Sequence, residues 1–335
     1  MKTPKKSLLL LASALLASSA GLHAEVVATD PVGYKTVTIH GDDNLTLIGV
    51  ELLEAATYIG QVSSVGTSTA TVSSVDFDTL LESGGHYFLD ITSGDNTGLN
   101  TSIASWTGDT LTLGDDLSAV LVANSDQVRI HRLPTIGEIF GEGGDVLAGG
   151  SATTADLILM PDPSGSSLIR LYYSSGGFAG IGWRQVGGGS TDMSDLPIYF
   201  SDGLYIYKKS SGDATLTFTG AVKTTSSSVV VEEGFVPYST IFPSGTTLGN
   251  SGLYDSENPG SSLTAGSATT ADLILTDSDD DGVIERYYYS SGGFAGVGWR
   301  QVGGGSVDMA DVELSSAFAV FNRNGVVTLN RTPAY

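Results

Sequence analysis

Residues 151–195 recur almost letter for letter at residues 267–311. Both copies open on SATTADLIL, pass through a stretch that differs, and close on YYSSGGFAGxGWRQVGGGS. The offset is a constant 116 residues, and about thirty of the forty-five aligned positions are identical. A repeat at fixed register is one supersecondary unit built twice, so the chain must fold as a duplicated module. A single catalytic centre inside the unit is disfavoured, because both copies would carry it.

The composition says what kind of unit it is. There are 44 glycines and only 15 basic residues. Serine and threonine abound, which suits β-structure with tight turns rather than helices. Residues 215–219 and 110–113 alternate with period two, as half-buried strands do. Residues 72–77, 87–92, 102–106 and 128–131 read as further strands. Gly84-Gly85, Ser93-Gly94-Asp95 and Thr107-Gly108-Asp109 read as turns between them. Asn324-Gly325, between residues 318–321 and 326–329, predicts a type I′ hairpin, and residues 204–207 with 215–218 predict its match in the first copy. The one helix signal is Thr135-Ile136-Gly137-Glu138, spaced as a capping box. Residues 237–242 are the expected opening of the second copy, followed by roughly fourteen extra residues in a surface loop.

The expected fold is therefore all-β: an N-terminal β domain followed by two duplicated, sandwich- or barrel-like β modules, with little helix. The boundaries expected are 1–24, 25–132, 133–225 and 226–335. Residues 1–24 read as a secretory signal peptide, with Lys2, Lys5 and Lys6, an apolar run over 8–17, and Leu22-His23-Ala24 at the cleavage site. That run is too short for a permanent membrane span, and no longer one follows. The expected location is secreted: extracellular, on the cell surface, or periplasmic. Cleavage would leave 12 basic against 37 acidic residues, a net charge of −25. Such a surface repels phosphate backbones, which excludes nucleic acid, and it attracts divalent cations. The chain has no cysteine, so disulfides and thiol chemistry are excluded.

Several short motifs appear in a fixed order. Asp30-Pro31-Val32-Gly33-Tyr34 follows the leader. Gly85-His86-Tyr87 leads to Ile91-Thr92-Ser93-Gly94, and Thr135-Ile136-Gly137-Glu138-Ile139-Phe140 precedes Gly182-Trp183-Arg184. This order resembles a family of secreted proteins expanded in Verrucomicrobia-type bacteria. The resemblance implies export and a β-rich architecture. It carries no activity to transfer.

The sharpest chemical signal is Asp277-Ser278-Asp279-Asp280-Asp281-Gly282-Val283-Ile284-Glu285. Carboxylates fall at loop positions 1, 3, 5 and 9, with glycine at 6, a pattern suited to calcium. Asp277, Asp279, Asp281 and Glu285, with the Val283 carbonyl, are the candidate ligands. Position 12 is Tyr288 rather than the glutamate of an EF-hand, and the flanks look like strands. The loop is similar to the calcium hairpins of integrin-type β-propeller repeats. The first copy has Pro161-Asp162-Pro163 there, so the module does not depend on the ion. The alternative is an acidic solvated turn.

Trp183 with Arg184, and Trp299 with Arg300, are candidate ligand-binding pairs, since exposed aromatic faces stack on sugars. The competing expectation, and the favoured one, places Tyr172, Tyr173, Phe178 and Trp183, with residues 287–289, Phe294 and Trp299, in the core. His40, His86 and His131 lack zinc spacing, and there is no Gly-x-Ser-x-Gly elbow. The expected function is a non-enzymatic, secreted β protein with a surface-structural, adhesive or matrix role and a glycan or protein partner. A carbohydrate-binding module pair and a polysaccharide-active enzyme are the alternatives.

Overall fold

The computed structural model describes residues 31–141, 146–163 and 167–335. The expected leader lies outside them. Among the described residues the fold is all-β, with 43% strand, 6% helix, 22 strands in several sheets and two short α-helices.

Each repeat supplies three adjacent antiparallel strands. In the first copy these are Leu157–Pro161, Leu168–Ser175 and Ile181–Gln185. In the second they are Leu273–Thr276, Glu285–Ser291 and Val297–Gln301. The registers match: Tyr172 lies opposite Arg184, and Tyr288 opposite Arg300. Gly203–Lys208 and Ala317–Asn322 pair with the other edge of the SATTADLIL strand in their respective modules. A fifth strand completes each sheet, Asn44–Gly49 in the first and Gly234–Ser239 in the second. Val32–Ile39, Ala214–Val222 and Leu52–Leu53 form a three-stranded sheet, and Ser227–Val231 pairs with Val327–Arg331.

SATTAD is identical in both copies for a reason in this geometry. Its aspartate is buried and bonds two distant chain segments. Asp156 accepts from the amides of Ala148, Lys209 and Ser210, and Asp272 from those of Thr264 and Arg323. Buried carboxylates persist only when so satisfied.

The sheets divide the N-terminal segment differently from the boundary expected at residue 132. Residues 32–53 belong to the strands of the first module. The rest forms a seven-stranded sheet of its own, from Tyr58–Gln61 to Gln127–Leu133 in sequence, around a core that includes Val62, Leu89, Leu111 and Ile130. Its place is fixed by two matching hydrogen-bond pairs. Ile136 and Gly137 donate to Leu196 and Ser194, just as Leu248 and Gly249 donate to Val312 and Ala310. Thr247-Leu248-Gly249 is therefore the counterpart of Thr135-Ile136-Gly137. The expected counterpart, residues 237–242, instead enters the strand that matches Asn44–Gly49. Residues 50–134 thus stand in the first module where residues 240–246 stand in the second. The seven-stranded unit is an insertion. The expected fourteen-residue excess in the second module shrinks accordingly, to residues 249–264 against 137–148.

Both expected hairpins are absent. Ala317–Asn322 and Val327–Arg331 flank Asn324-Gly325 but pair in different sheets, as do Gly203–Lys208 and Ala214–Val222. Only Gly325 has positive φ, at 102°, so the type I′ requirement of two such residues fails. Each turn carries the chain across layers, because both strands find their partners elsewhere. Residues 72–77 also depart from expectation. Asp76 accepts from the Asp78 amide and caps a short helix at Phe77–Leu80. The capping box at Thr135 and Glu138 forms as expected and starts the helix Ile136–Phe140.

The two five-stranded sheets meet face to face through Leu47 and Tyr205 on one and Ala317 and Ala319 on the other. Tyr205 stacks on Phe235 at 5.6 Å. Glycine is required at the closest approach, since a Cβ on Gly203 would stand 2.6 Å from the Tyr238 amide nitrogen.

Buried charge makes the fold pH-sensitive. Glu51 pairs with Lys35 at 2.5 Å, and burial pushes its carboxyl from 4.5 up to about 7 against the pull of Lys35 and Arg331. Asp202, half-buried at the edge of a groove, is likewise raised from 3.8 to about 7 by loss of water around its carboxyl. A carboxyl whose folded pKa is raised binds its proton more tightly in the folded chain. Stability then increases as pH falls through 7 and is lost as pH rises. His131, lowered by burial from 6.5, opposes this in part, because the unfolded chain takes up that proton as pH falls through 6.5. From pH 8 to pH 6.5 the two carboxyls together are expected to add about 1–2 kcal/mol. Denaturant titration at the two pH values checks it. Asp202→Asn should remove about half of the difference, and an unchanged difference contradicts the assignment.

Candidate functional site

The loop SGGFAGxG is shaped by its glycines. Gly176, Gly177, Gly180 and Gly182 have φ of 135°, 76°, 73° and 126°. Their counterparts Gly292, Gly293, Gly296 and Gly298 have 131°, 73°, 72° and 127°. Residues with a Cβ rarely adopt such values, so the loop needs glycine at all four positions. The chain makes a single 3-10 turn at Gly177–Ala179, and at Gly293–Ala295 in the second copy. Phe178 and Phe294 lie at these tips and are fully exposed, and Ile181 and Val297 beside them are largely exposed. The expectation of a core position fails for both phenylalanines. It holds for Tyr172, Trp183, Tyr287, Tyr288 and Trp299, which are buried.

The arginines hold the tips in place. Arg184 is buried and donates through Nε to the Ala179 carbonyl, and through its two terminal nitrogens to those of Trp183 and Ile181, each at 2.7 Å. Arg300 does the same to Ala295, Trp299 and Val297 at 2.7, 2.7 and 2.9 Å. Asp192 and Asp308 stand 3.5 and 3.4 Å from the respective guanidinium groups. A planar fork of donors suits three carbonyls around one loop, which a single ammonium cannot match. Trp183, Arg184 and Arg300 thus act inside the fold, the tryptophan by packing and the arginines by bracing, while Trp299 is buried but also lines a groove. The exposed groups are the phenylalanines they support. A phenylalanine ringed by glycines, outside any alternating pattern, was the available signal.

The acidic loop is partly assembled. Carboxylate oxygens of Asp277, Asp279 and Asp281 lie within 4.8 Å of one another. Asp277 is buried and accepts from the amides of Asp281 at 3.1 Å and Gly282 at 2.9 Å. Burial raises its pKa, those two bonds lower it, and the charges of Asp280 and Asp281 raise it further. Glu285 turns instead to the Ser278 amide and hydroxyl, both at 3.4 Å. The Val283 side chain is exposed and its amide donates to Asp281 at 2.8 Å.

Sequence spacing did not suggest His40, which reaches this loop from the first module. Its Nε2 lies 3.6 Å from Asp280, and Asp277, Asp280 and His40 form a second close group. The loop packs tightly there, since a Cβ on Gly282 would stand 2.7 Å from Asn44 Nδ2. His86 and His131 are elsewhere. His86 lies 3.4 Å from Asp195, and His131 is buried against Phe88 with Nδ1 2.9 Å from the Glu54 carbonyl.

No helix among the described residues is long and apolar enough to cross a membrane. No family model, curated protein or solved structure matches the chain.

Proposed function

We propose that the protein is a secreted, non-enzymatic adhesive component whose two phenylalanine tips seat on apolar surface presented by a partner. One observation carries this reading. The same fully exposed phenylalanine occurs twice, each time held by a buried arginine and four glycines of positive φ. Water penalises an exposed phenylalanine, and a core does not use it. A fixed apolar tip loses little entropy on contact, so most of its burial adds to binding. Fully burying one such side chain contributes about 1.5–3 kcal/mol. Adsorption to a methyl-terminated sensor surface tests it. The chain should adsorb, and Phe178→Ala with Phe294→Ala should remove most of the signal. Undiminished adsorption of the double variant refutes the reading.

The acidic loop supports calcium as a structural ion. Asp277, Asp279 and Asp281 would be its primary ligands, with the Val283 carbonyl and Glu285 joining if the Glu285 side chain leaves Ser278. Without a position-12 glutamate the affinity should be on the order of 10⁻⁴–10⁻³ M. At ten times the dissociation constant the gain is about 1.4 kcal/mol, enough to order the loop but not to decide folding. Calorimetry on the wild type and on Asp279→Ala checks it. A saturable heat in the first and none in the second is expected. Identical titrations leave the loop an acidic turn.

A further inference from the structure

The second module carries a groove of about 1020 Å³ between residues 249–261 and the strand Val297–Gln301. Tyr254, Tyr289 and Trp299 line it with Asp308, Asn330 and Thr328. Tyr254 and Tyr289 stack at 3.6 Å, and Tyr289 meets Trp299 edge-on at 5.5 Å. The groove wall comes from the segment that is longer here than in the first module. There, Phe140 packs 6.0 Å from Trp183, and the Trp183 indole donates to the Gly141 carbonyl at 2.9 Å.

The matching indole is left open. Trp299 is only 4% exposed, it lines the groove, and its Nε1 donates to no protein atom among the described residues. The nitrogen is not among the sealed unpartnered atoms, so it is open to an acceptor from water or from a ligand in the groove. We infer that this groove binds a neutral saccharide, with a sugar ring against Tyr254 and a hydroxyl oxygen accepting from Trp299 Nε1.

The lining chemistry selects this class. Aromatic faces take the C–H side of a pyranose ring, while side-chain amides, hydroxyls and carboxylates exchange hydrogen bonds with its hydroxyls. Asp308 can still accept: its Oδ1 takes the Ala310 amide at 3.1 Å and stands 3.4 Å from Arg300, and its Oδ2 makes no hydrogen bond among the described residues. Asp255 and Asp308 line the groove and no lysine or arginine does. Uronic acids and sulfated sugars are thereby repelled. The site belongs to one module only, unlike the duplicated site that the repeated tryptophans suggested. It is also independent of the phenylalanine tips, which are tested on a surface without sugar.

The full chain is titrated with neutral gluco-, xylo-, manno- and chito-oligosaccharides, reading tryptophan fluorescence and heat. At least one should bind saturably. Tyr254→Ala should weaken it on the order of tenfold or more, and Phe178→Ala should leave it unchanged. Thr328→Trp, at an exposed strand position facing the groove, should block binding while the chain stays folded. Oligogalacturonate and a lysine-rich peptide should not bind. The inference is overturned if no neutral oligosaccharide binds, if both groove variants bind as the wild type does, or if a charged probe binds in their place.

Discussion

Replacing Arg300 by lysine is expected to destabilise the second module by about 3 kcal/mol and to loosen the Phe294 tip. Arg300 is 5% exposed, and its guanidinium satisfies three carbonyls with charge-assisted bonds. Each such bond is worth about 1.5–3 kcal/mol in isolation, and the three are not additive because they share one group. Lysine can restore one bond and leaves the other carbonyls without a donor. Chemical denaturation should show the loss, and amide exchange should quicken at residues 293–297. Arg184→Lys should act alike on the first tip. A surface ligand-binding arginine, which the sequence suggested, would behave differently: its replacement would leave stability within about 0.5 kcal/mol.

Residues 134–225 expressed alone are expected to remain unfolded, although they contain the whole first repeat. The sheet there lacks its fifth strand, Asn44–Gly49, and the strand Ala214–Val222 lacks its long partner, Val32–Ile39. Ile39, Ile48 and Val50 would also be missing from a core shared with Leu204, Leu216 and Phe218. Two long unpaired edges and an open core are not stable in water. Joining residues 31–53 to 134–225 through a short linker in place of the inserted unit should restore a dispersed amide spectrum. Dispersion from 134–225 alone would show that the boundary at residue 133 was right.

How much was legible follows from what each signal measures. The repeat is legible because identity at a fixed offset needs no structural inference. Alternation located the strands at 110–113 and 215–219, since one face of each is buried. The partners of those strands were not legible. Asn324-Gly325 looks like a hairpin locally, but pairing is decided by which sheet edge is free, a long-range property. The split of the first module was hidden for the same reason. Residues 32–53 share no obvious letters with residues 227–239, so only the hydrogen-bond register joins them to their module. The acidic loop was legible in its aspartates but not in His40, which arrives from far away in sequence. The aromatic residues were misassigned at Phe178 and Phe294 because composition treats all aromatics as core material, whereas here glycine geometry decides.

The most direct test of the tip assignment measures adsorption to a methyl-terminated surface for four chains: wild type, Phe178→Ala, Phe294→Ala and the double variant. Two tips with matching backbone angles and matching arginine contacts should contribute alike. Each single variant is expected to weaken adsorption by a similar factor, about 10- to 100-fold, with the double variant weaker still. Equal adsorption by all four chains, or loss confined to one tip while the other is silent, would contradict the account.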